Sequence, residues 1–443
     1  MPLPLPPLPT GAGYINLGNT CYMNSVLQCF THTVPFVERL SSILSDHQMS
    51  SGTVDFCSIC ALHKLVKKSI ACSGSIVSPN EFSRNLTALR PTFKSFNQED
   101  AHEFLLGLLE NLKSRGSLNG ASENLVAPIF EGRLNHQVLC SGCGYLTATP
   151  ELLRGLSLAI DKSDSLLDAL KFFMIVERLE GLTCDKCKMT VSKEKWYTFD
   201  QAPLVVSFHL KRFSIESNDI QKIDKFVEFP LELNLQPFHG GTQENKEEML
   251  YNLYAVVVHI GSCGSGHYIS YVRPSPGSWY QLNDSEVSQV SEEEVLKQNA
   301  YILFYIRQNS PWFSSYMEKL EKDSSPGTII ENAKNVCAIP QSVKPSRDAE
   351  QIITESLKNI VNVFGGFSSN TESLSTAALY KEYPGIDSSS AVATGLGKPE
   401  TKVDSTAADA MSGIPSTPPP AKNGSTDPMW DSGQSSETIA QEA

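Results

Sequence analysis

The chain is short of basic residues and of long apolar runs, and its cysteines do not come in even number. Each shortage closes a class of function. Lysine and arginine number 36 against 49 acidic residues, a net charge of −13 over 443 residues. The broad basic surface that holds nucleic acid or anionic membrane is therefore missing. No apolar run approaches the roughly 18 residues of a membrane-crossing helix. The opening MPLPLPPLPT has no basic n-region and is studded with proline, so residues 1–10 are expected to form a polyproline-like arm and not a secretory leader. Eleven cysteines are an odd count, and several sit in C-x-x-C pairs. That favours metal binding and thiol chemistry in a reducing compartment, cytoplasm or nucleus, over a disulfide framework.

What is present divides unevenly. Up to about residue 308 the chain is dense in aromatics and periodic apolar segments, enough for a large core. Helical patterns fill 14–125, including the apolar face Met23, Val26, Leu27 and Phe30. A second helix is expected over 97–112, capped by Asn97 and carrying Phe104, Leu105, Leu108 and Leu109 on one face. From about 126 the texture changes to short strands: 204–213, 253–260, 267–272 and 301–307. Helices first and strands afterwards predict an α+β fold, not an alternating βαβ sheet. Residues 309–443 turn to Ser, Thr, Ala, Pro and Gly, and are expected to be a mostly disordered tail. Only ENAKNVCAI and ESLKNIVNVFGGF could form short helices there.

The chemistry starts at Cys21, in the first turn of the helix that begins GNTCYMNSVLQCF. Unpaired N–H groups and the positive end of the helix dipole favour thiolate there. The dipole supplies roughly 0.3–1 kcal/mol, whereas one pKa unit needs about 1.4 kcal/mol. A thiol so placed still requires a histidine. Of nine histidines, His267 is best placed, where the glycine-rich GSCGSGHYISYV enters a strand. Just downstream, WYQLNDSEV offers Asn283 and Asp284 on the expected hairpin partner. Strand alternation lets only one of the two face His267. Each of these residues also has an ordinary reading, as core cysteine, structural histidine or turn.

Cys140 and Cys143, with Cys184 and Cys187, form two equal C-x2-C knuckles, the pattern of a four-thiolate zinc site. Their separation exceeds that of a compact ribbon, so the strands and LLDALKFFM between them form an inserted excursion. A nucleic-acid zinc ribbon would need basic surroundings that are absent. Cys57, Cys60, His63 and Cys72 are a weaker cluster that reads equally as helix core, and no second zinc is predicted from it.

Taken together, GYINLGNTCYMNSVLQCF, NQEDAHEFL, the paired C-x-x-C motifs, LVVSFHLKRF and YAVVVHIGSCGSGHYISYVR with WYQLNDSEV resemble the ordered motifs of the ubiquitin-specific protease family. The resemblance covers roughly residues 11–308. It implies a papain-like cysteine peptidase fold with thumb, palm and zinc-binding fingers (about 130–200), acting on ubiquitin and ubiquitinated proteins as a monomeric catalytic domain. It places Cys21 at the nucleophile position, His267 at the general base, Asn283 at the orienting residue and Asn16 at the oxyanion site. Asp284 matches a second acidic position that could assist the imidazolium. Gln98, Asp100 and Tyr268 match positions lining the channel for the ubiquitin tail, with helix capping as the plain alternative for Asp100. The zinc becomes structural, with no catalytic cofactor. Gly155 departs from the pattern, standing where an acid commonly precedes LSL. A ubiquitin-binding scaffold without activity and a general protease on the same fold are the competing readings.

Overall fold

The computed structural model describes residues 10–46, 56–117, 124–216, 219–240, 249–263 and 265–323. Residues 1–9 of the proline-rich arm and both candidate tail helices lie outside the described residues. Helix α1 (Cys21–Thr31) is buried along its whole length, because both its apolar stripe and its opposite side are covered. Helices α2 (Val34–Asp46), α3 (Ser58–Ala71) and α4 (Ala101–Ser117) complete the helical half. Tyr22 of α1 meets Phe93 and Phe104 edge-on, with centroids 5.9 and 5.8 Å away, an arrangement the ring quadrupoles favour.

The starts of α1 and α4 are held differently. Thr20 is the N-cap of α1 but makes no side-chain cap bond; its Oγ1 accepts the Leu17 N–H instead. The expected cap of α4, Asn97, is not the cap. Asp100 is: its Oδ1 accepts the N–H groups of His102 and Glu103 at 2.8 and 2.9 Å, three residues further along.

After α4 come β1 (Gly132–Cys140), β2 (Leu146–Leu153), β3 (Leu156–Ala159), α5 (Leu166–Phe173), β4 (Glu177–Thr183), β5 (Thr190–Gln201) and β6 (Val205–Lys211). The strands β7 (Leu250–Ser262), β8 (Ser265–Ser275), β9 (Ser278–Asn283), β10 (Glu286–Val290) and β11 (Ala300–Arg307) follow. An eight-stranded sheet runs β10-β9-β8-β7-β11-β6-β3, with Glu232–Asn234 also paired to β7. A separate four-stranded antiparallel sheet, β2-β1-β5-β4, is the expected excursion. The large sheet is covered on both faces, so its central strands read as near-continuous apolar runs. Along β7, Ala255 and Val257 pack with the helices, while Val256 and Val258 pack with Phe208, Leu303 and α5 on the other side.

Three local findings follow from packing. Gly155 has φ +106°, and a Cβ there would lie 2.4 Å from Ser207 Oγ, so an acid cannot stand on this backbone. Cys57 and Cys72 cap opposite ends of α3, too far apart to share a metal with Cys60 and His63. Cys72 is moreover disulfide-bonded, which removes it as a thiolate ligand.

The folded part also runs past residue 308, which corrects the expected boundary of the tail. Helix α6 (Phe313–Asp323) buries Phe313, Tyr316 and Met317, and the Phe313 ring lies 4.5 Å from that of His32 at the end of α1. Apolar residues at helical spacing repay the ordering that the surrounding polar composition would not. Phe313→Ala in the full chain should cost about 3–5 kcal/mol of stability, read as a lowered urea midpoint.

Candidate functional site

Cys21 opens α1, and His267 stands on β8, next to the edge pairing with β9. The register sets Ser270 opposite Leu282, which makes Asn283 the diagonal, same-face neighbour of His267. His267 Nε2–H donates to Asn283 Oδ1 at 2.7 Å. The ring's other nitrogen is thereby left for Cys21, with which His267 is hydrogen-bonded. Of the Asn283–Asp284 pair, one residue faces the histidine directly, as strand alternation predicts.

Burial of His267 opposes its charged form, but the hydrogen bond and charge of Cys21, the Asn283 bond and the charge of Asp284 outweigh it. The imidazole is raised to about 9. This balance favours the imidazolium, even though Asn283 brings no charge.

Asp284 makes no hydrogen bond to His267 among the described contacts and acts on it through charge. It lies in the turn after β9 at φ +50°, and its carboxylate accepts from Asn24 Nδ2 at 2.7 Å and from Asn16 Nδ2 at 2.9 Å. Its help to His267 is through charge alone. Burial raises its carboxyl pKa, and the two asparagine bonds pull it back. Asn16 is held from both ends. Its Oδ1 accepts the N–H groups of Gly18 and Thr20 at 3.0 and 3.1 Å, and one amide N–H goes to Asp284. The loop closes this tightly because Gly18 has φ +97° and its missing Cβ would meet the Phe96 ring at 2.5 Å.

Gln98, Asp100 and Tyr268 come together in one network. Gln98 clamps Gly266, donating to its carbonyl at 2.9 Å and accepting its N–H at 3.1 Å, which holds the loop just before His267. A Cβ at Gly266 would lie 1.9 Å from His259, so only glycine passes there. Asp100 Oδ2 accepts from the hydroxyls of Tyr268 and Tyr301, while Oδ1 caps α4. The plain capping alternative is thus present in the fold. Tyr301 was missed from sequence, being one apolar-strand residue among several; Asn24 was missed because it reads as a polar residue on a helix.

Cys140, Cys143, Cys184 and Cys187 lie with their sulfurs within 4.8 Å of one another, the only such group of metal-type ligands among the described residues. Two sulfur pairs are 4.0 and 3.8 Å apart. A tetrahedron with zinc–sulfur bonds of about 2.3 Å has edges near 3.8 Å, so the four donors fit that ion. The knuckles are alike: Gly144 N–H donates to Cys140 and Lys188 N–H to Cys184, at 2.9 and 2.8 Å, with both donors at positive φ.

The arrangement can form a thiolate, hold a base in one tautomer and offer two N–H donors to an oxyanion. A family model described as "Ubiquitin carboxyl-terminal hydrolase" matches residues 12–305. The chain is 42% identical to "Ubiquitin carboxyl-terminal hydrolase 20" of Arabidopsis thaliana over 75% of its own length and 49% of that protein's. It is 36% identical to "Ubiquitin carboxyl-terminal hydrolase 42" of Homo sapiens over 67% of its length and 23% of that protein's. The chain spans about half the length, or less, of these curated relatives. A solved structure of the SAGA DUB module bound to ubiquitin aldehyde is similar with a TM-score of 0.61 and 30% identity, covering 70% of this chain and 72% of that one.

Because Cys21 supplies the main forces that raise His267, Cys21→Ala should lower the midpoint of the imidazole in an NMR titration. The sign extends to stability. A raised histidine stabilises the fold fully below about pH 6.5 and loses that contribution as pH climbs through about 9. The unsubstituted chain should therefore lose more stability across that window than Cys21→Ala.

Proposed function

Because the chain belongs to the ubiquitin carboxyl-terminal hydrolase family, we propose that it is a thiol-dependent deubiquitinase, cleaving the isopeptide or peptide bond after the C-terminal glycine of ubiquitin. The observation that carries this reading is the alignment of Cys21, His267 and Asn283. The Cys21 thiolate attacks the glycine carbonyl carbon. The oxyanion that develops takes hydrogen bonds from the Cys21 N–H and from the free amide N–H of Asn16, a donor pair of the kind that often contributes the largest share of catalysis. Imidazolium His267 then protonates the leaving amine, giving a thioester. The neutral imidazole next takes a proton from water, whose oxygen attacks the thioester and releases ubiquitin and Cys21.

Asn283 holds the His267 ring so that its second nitrogen meets sulfur and not solvent. With no carboxylate behind the imidazole, the positive charge rests on the thiolate and on the more distant Asp284. We assign Gln98, Asp100 and Tyr268 to the channel for the ubiquitin tail, whose two C-terminal glycines would fit a passage too narrow for most side chains. This is also the reason to prefer ubiquitin over an unfolded peptide as substrate. We further assign Cys140, Cys143, Cys184 and Cys187 to a structural zinc that pins the ends of the two hairpins β1–β2 and β4–β5, in the fingers of a papain-like thumb, palm and fingers arrangement. The catalytic unit acts as a monomer, in cytoplasm or nucleus.

Ubiquitin carrying a C-terminal thiol-reactive group should add once to the chain, seen by intact mass, and not at all to Cys21→Ala. Folded, zinc-loaded protein that forms no adduct would favour the inactive scaffold. Elemental analysis should find one zinc per chain. Cys184→Ser should lose most of it and unfold at lower temperature.

A further inference from the structure

We propose that Asn24 is a positioning residue for the oxyanion site, holding the Asn16 amide in place through the carboxylate of Asp284. This inference rests on the deubiquitinase reading and deepens it. Asn24 lies one turn along α1 from Cys21 and is 2% exposed. Its Nδ2 makes its shortest contact, 2.7 Å, with Asp284 Oδ1, and longer ones with the carbonyls of Tyr14 and Ile15 at 3.3 and 3.2 Å. The other oxygen of the same carboxylate accepts from Asn16 at 2.9 Å.

Asn24 therefore grips Asn16 from two directions. One grip is on the backbone immediately before it, the other on the acid that orients its side chain. Both refer to the helix that carries the nucleophile, so the oxyanion donor and the attacking sulfur share one rigid frame. An offset of about 1 Å between such groups is enough to lose most of their effect.

Packing alone does not account for an asparagine here. Its Oδ1 is buried with no hydrogen-bond partner among the described residues, a cost that an alanine would avoid. What the amide supplies is donors, and the shortest of its contacts meets a half-buried acid. Asp284 sits in a left-handed turn, its backbone carbonyl accepting the Tyr14 N–H at 2.7 Å. With Asn24 removed, one carboxylate oxygen loses its partner, the acid is free to reorient, and the Asn16 amide loses its reference. Cys21 and His267 keep theirs, because neither bonds to Asn24.

The test compares Asn24→Ala, Asn16→Ala and the double variant in the full chain. Two readouts are taken: hydrolysis of a ubiquitin C-terminal coumarin amide, and alkylation of Cys21 by iodoacetamide across pH. Alkylation needs the thiolate but no oxyanion site. Asn24→Ala should lower kcat on the order of 10- to 100-fold with KM and the alkylation profile unchanged, and should add little once Asn16 is already alanine. An equal loss in both backgrounds, or a parallel loss of alkylation, overturns the inference and makes Asn24 a general prop of α1. If Asn24→Ala does not fold, Asn24→Leu, which fills the same space without donors, cuts the same link and must show the same split. Absence of turnover by the unsubstituted chain would overturn the deubiquitinase reading and this inference with it. Turnover without the split overturns this inference alone.

Discussion

The carboxylate of Asp284 joins the two halves of the molecule at the point where they must not drift. It belongs to the sheet half, in the turn leaving β9, yet both its side-chain partners, Asn16 and Asn24, belong to the helical half. A buried acid is costly unless its oxygens are bonded, so once the helices and the sheet close on each other the two asparagines and the acid are committed to one arrangement. The seating of α1 against β8 follows from it. Cys21 and His267 meet because the end of a helix and the end of a strand have been fixed to the same short turn.

A second tie works from the other side of the cleft. Asp100 begins α4 and receives hydroxyls from Tyr268 on β8 and Tyr301 on β11, while Gln98 holds the backbone of Gly266. The loop that delivers His267 is thus referenced to α4 as well as to its own hairpin. Two buried or half-buried acids, one on each side, locate the base relative to the sulfur. Both acids accept internal donors, and the His267 ring takes its orientation from the neutral Asn283.

The legibility of the site followed the range of its interactions. Cys21 at a helix start, His267 at a strand start and Asn283 on the partner strand were readable because each depends on local pattern and on a short hairpin. The zinc-type knuckles were readable for the same reason, since C-x2-C is a single turn. Asn97 was the wrong cap because the first residue of α4 is decided by Asp100, which distant tyrosines hold in place. Helix α6 carries its own signal, Phe313, Tyr316, Met317 and Leu320 at helical spacing, but the polar composition around it hid a segment whose order comes from docking onto β8, α2 and the end of α1.

By itself the sequence determined the α+β succession of elements, the placing of Cys21 at a helix start and of His267 and Asn283 on one short hairpin, and the four clustered thiols. These are properties of periodicity, spacing and turn chemistry, which act over a few residues. Only the tertiary structure decided that Asp284 bonds the asparagines and reaches the histidine through charge alone, that Asp100 is both cap and acceptor, and that Asn24 shares the Asp284 carboxylate with Asn16. Each of those assignments is a hydrogen bond between residues far apart in the chain, and its partner is selected by the burial that closes the helical half onto the sheet.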